Sequence, residues 1–121
     1  MRVLLDTNFL IDAVRFKVGL GNVHDLVGSS ELVTLNSVEN ELTIISEKTS
    51  RAGVYAKVAL KLIKESNIKI LRSEGRADNA MAKLAGDKTI IATNDIELRK
   101  RLKALGRKAI YLKSKKHLAI G

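Results

Sequence analysis

Asp6, Glu41, Asp78 and Asp95 are the residues of this 121-residue chain whose placement suggests chemistry. Asp6 ends the apolar run Val3-Leu4-Leu5 and opens Asp6-Thr7-Asn8, while Asp95 follows Thr89-Ile90-Ile91-Ala92 and closes Thr93-Asn94-Asp95. If Val3–Leu5 and Ile90–Ala92 are neighbouring buried parallel strands, both carboxylates lie at the carboxyl edge of one sheet, where open α/β sheets bind ligands. Glu41 falls one turn into an expected helix, and Asp78 falls in the first turn of another. The same topology turns both toward that edge. Carboxylates gathered in one place repel one another unless a cation neutralises them, and hard oxygen donors select Mg²⁺ or Mn²⁺.

Divalent ions held in this way activate water and neutralise a scissile phosphate, so an acidic pocket on a basic body points to a metal-dependent nuclease. Thr7, Asn8, Thr93 and Asn94 would supply hydroxyls and amides to orient the acids from a second layer. Taken singly, Asp6 and Asp95 equally suit turns or caps, and Asp78 and Glu41 suit the positive end of a helix dipole. The joint placement of all four favours the site. Asp12, Asp25 and Asp87 show no such placement and read as surface or cap residues. His117, within Lys113-Ser114-Lys115-Lys116-His117, reads as part of a basic tail.

The elements that position these acids follow from hydrophobic periodicity. Strands are expected over Val3–Leu5, Glu31–Leu35, Ile68–Leu71, Lys88–Ala92 and Ala109–Leu112. Between them, a helix capped by Thr7 or Asn8 carries Phe9, Leu10, Ala13 and Val14. Gly19 and Gly21 mark a turn before a short helix near Asn22–Val27. A helix capped by Asn36 or Ser37 runs to about Lys48 with Val38, Leu42 and Ile45 apolar. Thr49–Gly53 breaks it, and the next helix shows Val54, Val58 and Leu62 at fourfold spacing beside Ala59 and Ile63. Arg76–Ala85 and Asp95–Leu105 complete the set, ended by Gly86 and Gly106. Strands alternating with helices imply a parallel sheet covered on both faces, and the fold class is α/β, a three-layer sandwich. The length suits one domain over residues 1–121.

Composition narrows the chemistry. The chain has 22 Lys plus Arg against 13 Asp plus Glu, a formal net charge of +9, the electrostatic footprint of a polyanion binder. Cysteine is absent, which excludes disulfides, Cys-ligated zinc, iron–sulfur clusters and thiol catalysis. No apolar run approaches the roughly 18 residues needed to cross a membrane, no secretory signal is visible, and a cytoplasmic location is expected.

With these residues in view, the chain resembles PIN-domain ribonucleases over nearly its whole length. Leu4-Leu5-Asp6-Thr7-Asn8 is similar to the family's first acidic motif and Ser37-Val38-Glu39-Asn40-Glu41-Leu42 to the second, with the Glu-Leu pair marking Glu41. Ala77-Asp78-Asn79-Ala80 is similar to the third motif and Ala92-Thr93-Asn94-Asp95 to the fourth. The resemblance implies a five-stranded parallel sheet flanked by helices, Mg²⁺- or Mn²⁺-dependent endoribonuclease activity with all four acids intact, and a homodimer. Within the family, the stretch from Gly86 to Leu102 and Ile110-Tyr111-Leu112 resemble the branch that processes small-subunit ribosomal RNA. A rival branch, the VapC toxins of toxin–antitoxin pairs, shares the quartet. The two readings imply an assembly factor or an antitoxin as protein partner.

RNA contacts are expected from Arg99, Lys100, Arg101, Lys103, Arg107 and Lys108, on or after the helix that starts at Asp95, with Lys113, Lys115 and Lys116 extending the track. The only aromatic residues are Phe9, Phe16, Tyr55 and Tyr111, so platforms for stacking bases are scarce and RNA shape or a partner would set specificity. Two other classes compete with the enzyme. A non-catalytic RNA-binding assembly subunit would use the acids for structure only. A receiver-like phosphoacceptor domain needs a lone acceptor Asp after a mid-chain strand, and none follows Ile68–Leu71.

Overall fold

A computed structural model describes residues 1–121. Strands β1 (Arg2–Leu5), β2 (Glu31–Leu35), β3 (Lys69–Leu71), β4 (Thr89–Ala92) and β5 (Ala109–Lys113) are parallel, and β6 (His117–Ile120) is antiparallel to β5. The spatial order is β3-β2-β1-β4-β5-β6. The N-terminal strand is therefore central, and the order reverses between β1 and β4. In the register of this central pair Leu5 lies beside Ala92, which sets Asp6 beside Thr93 at the carboxyl edge.

Val3, Leu4, Leu5, Val33, Leu35, Ile91, Ala92 and Ile110 are fully buried. Strands covered on both faces carry continuous apolar runs of this kind. The helices α1 (Thr7–Arg15), α3 (Asn36–Ser46) and α4 (Arg51–Glu65) pack on one another, and α5 (Ala77–Leu84) packs on α6 (Ile96–Ala104). Right-handed crossovers explain this division. The chain steps outward from β1 to β2 to β3, then back across to β4 and β5, which puts the two helix groups on opposite faces. The short α2 (Asn22–Val27) packs beside β6. Phe9, Leu10, Leu42, Met81 and Leu102 anchor the helices to the sheet.

Three local features depart from expectation. The basic tail is the turn of a hairpin: Ser114 and Lys115 take left-handed φ of 55° and 57°, and His117 pairs with Lys113. Burial of Leu118 ties the sixth strand to the core. Without Gly or Asn at the left-handed positions, and with one buried side chain in the strand, neither the turn nor the strand carries its usual signal. The sheet thus has five parallel strands, as expected, and one antiparallel edge strand.

The second feature is α4, which starts before Gly53. Ser50 caps it by accepting from the Gly53 N–H at 3.2 Å. Its buried face is Gly53, Ala56, Ala59 and Ile63, while Val54 is 57% exposed. Small residues let this helix lie close to α1 and α3, and packing overrides the larger apolar side chains of the Val54–Val58–Leu62 stripe.

The third is the start of α3. Its N-cap is Leu35 with no side-chain bond, because the Asn36 carbonyl oxygen of the side chain accepts from the Ser73 N–H at 2.9 Å and fixes the β3–α5 loop instead.

Candidate active site

The site is built outward from Asp6. Its N–H donates to the Ala92 carbonyl at 2.9 Å, continuing the β1–β4 ladder by one residue. Its Oδ1 accepts from the Thr7 N–H at 2.8 Å, making Asp6, rather than Thr7 or Asn8, the cap of α1. Its Oδ2 accepts from the Thr93 hydroxyl at 2.7 Å and from the Asn8 amide at 3.2 Å. Thr93 Oγ1 in turn accepts from the Asp95 N–H at 3.1 Å, and its own proton has Asp6 Oδ2 at 2.7 Å and Asn8 Oδ1 at 3.3 Å as acceptors. Asn8 completes the lattice by accepting from the Asn94 N–H at 2.8 Å. Thr7, Asn8 and Thr93 thus all donate to one carboxylate in the strand-end notch.

The other acids surround this fixed point. Glu41, on the exposed rim, accepts from the Thr7 hydroxyl through Oε2 at 3.1 Å. Asp95 caps α6, its Oδ1 accepting from the Glu97 and Leu98 N–H groups at 2.9 and 3.3 Å. Asp78 accepts from the Asn79 N–H at 2.9 Å and pairs with Arg76 at 3.3 Å. All four line one open cleft of about 460 Å³ together with Thr7, Asn8, Ile11, Ile45, Arg76 and Ala77. That volume has room for ions, waters and a phosphate group together. No three carboxylates are drawn tightly enough to enclose an ion.

Asp6 is 8% exposed, and this burial raises its pKa above the ordinary carboxylate value. The bonds from Thr93 and Thr7 oppose the rise, and the charges of Glu41 and Asp95 add to it. The donor set is oxygen throughout, with carboxylates whose mutual repulsion a cation would relieve, so it fits Mg²⁺ or Mn²⁺ and suits no soft metal.

A pH dependence follows. The folded protein retains the Asp6 proton above the pH at which the unfolded chain loses it, so neutral Asp6 contributes stability below that pH. The contribution is lost as pH rises through the elevated folded value. Without divalent ions, the melting temperature of the protein relative to Asp6→Asn is therefore expected to fall as pH rises through and above the ordinary carboxylate range. Parallel melting curves for the two proteins across that range would refute the assignment.

Residues 3–115 match the sequence profile of the family described as PIN-like domain. This chain belongs to that family. Among solved structures, one described as the PIN domain endonuclease Utp24 matches with a TM-score of 0.80 at 20% identity, over 98% of this chain and 90% of that one. A domain of a functionally unknown protein from Methanocaldococcus jannaschii matches with a TM-score of 0.63 at 21% identity, over 93% and 91%. These likenesses are of fold. No curated protein matches the chain in sequence.

In this PIN-like domain Asn94 does not face the carboxylates. Its Oδ1 accepts from the Leu112 N–H at 2.8 Å and its Nδ2 donates to Asp12 at 2.9 Å, tying the β4–α6 loop to β5 and α1. Asp12 thus belongs to the supporting lattice rather than the free surface. The signal was its position four residues after Asn8, on the same face of α1. Asn94→Ala leaves the Leu112 N–H and the Asp12 carboxylate without this partner and is expected to cost about 1–3 kcal/mol in chemical denaturation. A loss under about 0.5 kcal/mol would show that water replaces it.

The expected RNA-binding residues of the PIN-like domain divide by position. Arg101 donates to Asn79 at 2.6 Å, next to Asp78. Arg99 is half-buried with its guanidinium 3.5 Å from the Tyr111 ring centre, packing α6 onto β5. Lys100, Lys103 and Lys108 are exposed. Arg107 pairs at 3.0 Å with Asp87, which precedes β4 and therefore lies at the amino edge of the sheet. Lys108 precedes β5 at that same edge. The length of β4 separates this edge from the carboxylates by about 13 Å, so Arg107 and Lys108 do not flank the cleft.

Proposed function

We propose that this PIN-like domain is a Mg²⁺- or Mn²⁺-dependent endoribonuclease. The observation that carries the reading is that Asp6, Glu41, Asp78 and Asp95 line one cleft at the point where the strand order reverses. The likeness to a PIN domain endonuclease supports it. The motif resemblance to the ribosomal RNA-processing branch makes precursor ribosomal RNA the substrate class.

Bound divalent ions supply charge neutralisation at the scissile phosphate and lower the pKa of the attacking water. The chain supplies geometry. Asp6, fixed by Thr7, Asn8 and Thr93, is the rigid anchor of the ion site, and Asp95 keeps Oδ2 free for the cleft because only Oδ1 caps α6. Glu41 and Asp78 stand on the rim, from α3 and α5, where they complete the acidic set and polarise water against the phosphate. Arg76 offers a cation to a phosphate oxygen at the same rim.

Labelled structured RNA incubated with Mn²⁺, with EDTA, and with Asp6→Asn tests the reading. Discrete internal products, lost under EDTA and in the variant, are expected. Bound but uncut RNA would place the protein among assembly subunits instead.

A further inference from the structure

A second cavity opens beside the acidic cleft, between the β3–α5 loop and the exposed side of α5, and the two share Arg76. Its lining carries Arg72, Arg76 and Lys83 against a single acid, Glu74, and includes Asn79. Arg101 reaches Asn79 from α6, adding a fourth cation at the margin. Of these cations only Arg76 is engaged in an ion pair, and that pair is with Asp78 of the acidic cleft. The loop beneath is anchored, since the Ser73 N–H donates to Asn36 on α3 and Gly75 turns the chain at a φ of 79°. A row of cations on an anchored loop, leading into a cluster of acids, matches a polyanion whose reacting phosphate needs cations of its own to approach carboxylates.

We infer that this groove is the lane along which the RNA backbone enters the cleft, with Arg72 and Lys83 binding phosphates outside the site and Arg76 handing the strand over the rim. The lane runs across the β3–α5 side of the molecule. The basic residues at the far end of α6 do not form it, because Arg107 is engaged by Asp87 at the opposite edge. Side-chain contacts to phosphate read charge and spacing rather than base identity, so the groove takes RNA backbone of any sequence. The inference rests on the ribonuclease reading only for the identity of the polyanion.

The test uses the whole chain and a fluorescently labelled single-stranded RNA, with equilibrium binding measured in EDTA at several salt concentrations and cleavage measured separately in Mn²⁺. The double variant Arg72→Gln/Lys83→Gln is compared with Arg107→Gln/Lys108→Gln. Each lost phosphate contact flattens the slope of log affinity against log salt by about 0.7 for a single strand. The first variant is therefore expected to show a slope shallower by about 1.4, an affinity lower by about tenfold or more, and an unchanged melting temperature. Its KM for cleavage should rise with kcat preserved, while the second variant behaves as the parent. Equal affinity and slope in the first variant and the parent would overturn the lane, as would the absence of RNA binding by the parent. Loss of binding in the first variant while Asp6→Asn still cuts RNA would uphold the lane and reject the carboxylate assignment, so the two failures are separable.

Discussion

Asp6→Asn is expected to reduce Mn²⁺-dependent RNA cleavage about a thousandfold or more while leaving RNA binding in EDTA close to that of the parent. The magnitude corresponds to removing several kcal/mol of charge stabilisation supplied through the ion site. The substitution is chosen because the structure absorbs it. Asn is as good a helix cap as Asp, so the amide oxygen keeps the bond from the Thr7 N–H. The other half of the side chain changes from acceptor to donor and faces the Thr93 hydroxyl and the Asn8 amide, both of which now donate to it. The cost of that mismatch is offset by removal of a buried charge whose ionisation is disfavoured. Stability therefore changes little while the anchor of the ion site is lost. Cleavage within tenfold of the parent would move the reaction centre elsewhere.

Gly53→Ala is expected to destabilise the protein by about 1–3 kcal/mol or more, although it adds one methyl group to a helix. In an exposed helix the same exchange stabilises by roughly 0.5–1 kcal/mol, so the prediction has the opposite sign to helix propensity. The reason is contact: a Cβ at this position would clash with the Lys48 carbonyl oxygen and meet the Ile45 carbonyl oxygen at 3.2 Å. These are backbone atoms of the segment that ends α3, and they cannot turn aside as a flexible side chain could. The elbow between α3 and α4 would open, carrying with it the helix that presents Glu41. Urea denaturation measures the stability, and an unchanged or raised midpoint would show that the elbow yields freely.

Much of this arrangement was legible before any coordinates. Buried parallel strands announce themselves by unbroken apolar runs, so β1 and β4, and with them Asp6 and Asp95, could be placed at one sheet edge from Val3-Leu4-Leu5 and Thr89-Ile90-Ile91-Ala92. Glu41 and Asp78 followed from helix starts. What was not legible depended on tertiary partners. Thr7 and Asn8 look like caps, but the helix already begins at Thr7 and Asp6 takes the cap. Asn36 has the right type for a cap and spends its side chain on Ser73 instead. The phase of α4 was obscured because close helix packing selects the smallest side chains, Gly53, Ala56 and Ala59, against the valines that hydrophobicity favours. Hairpin β5–β6 has a turn of Ser and Lys in left-handed conformations that those residues seldom adopt. The basic residues around Arg107 could be counted in the sequence, but their edge of the sheet is fixed only by topology.

The bond from Thr93 to Asp6 spans 87 residues of sequence. Synthesis from the N-terminus exposes Asp6 and Glu41 long before β4 exists, and domains fold as units once their partner strands are available. Pairing of β1 with β4 is a long-range contact whose loop-closure cost delays it relative to local structure. Until that pairing forms, Asp6 lacks Thr93, and Asp95 has no place beside it. A nascent chain therefore carries Asp6 and Glu41 before the cleft that gathers all four acids exists. The central position of the first strand thus ties completion of the acidic cleft to the arrival of β4, late in the chain.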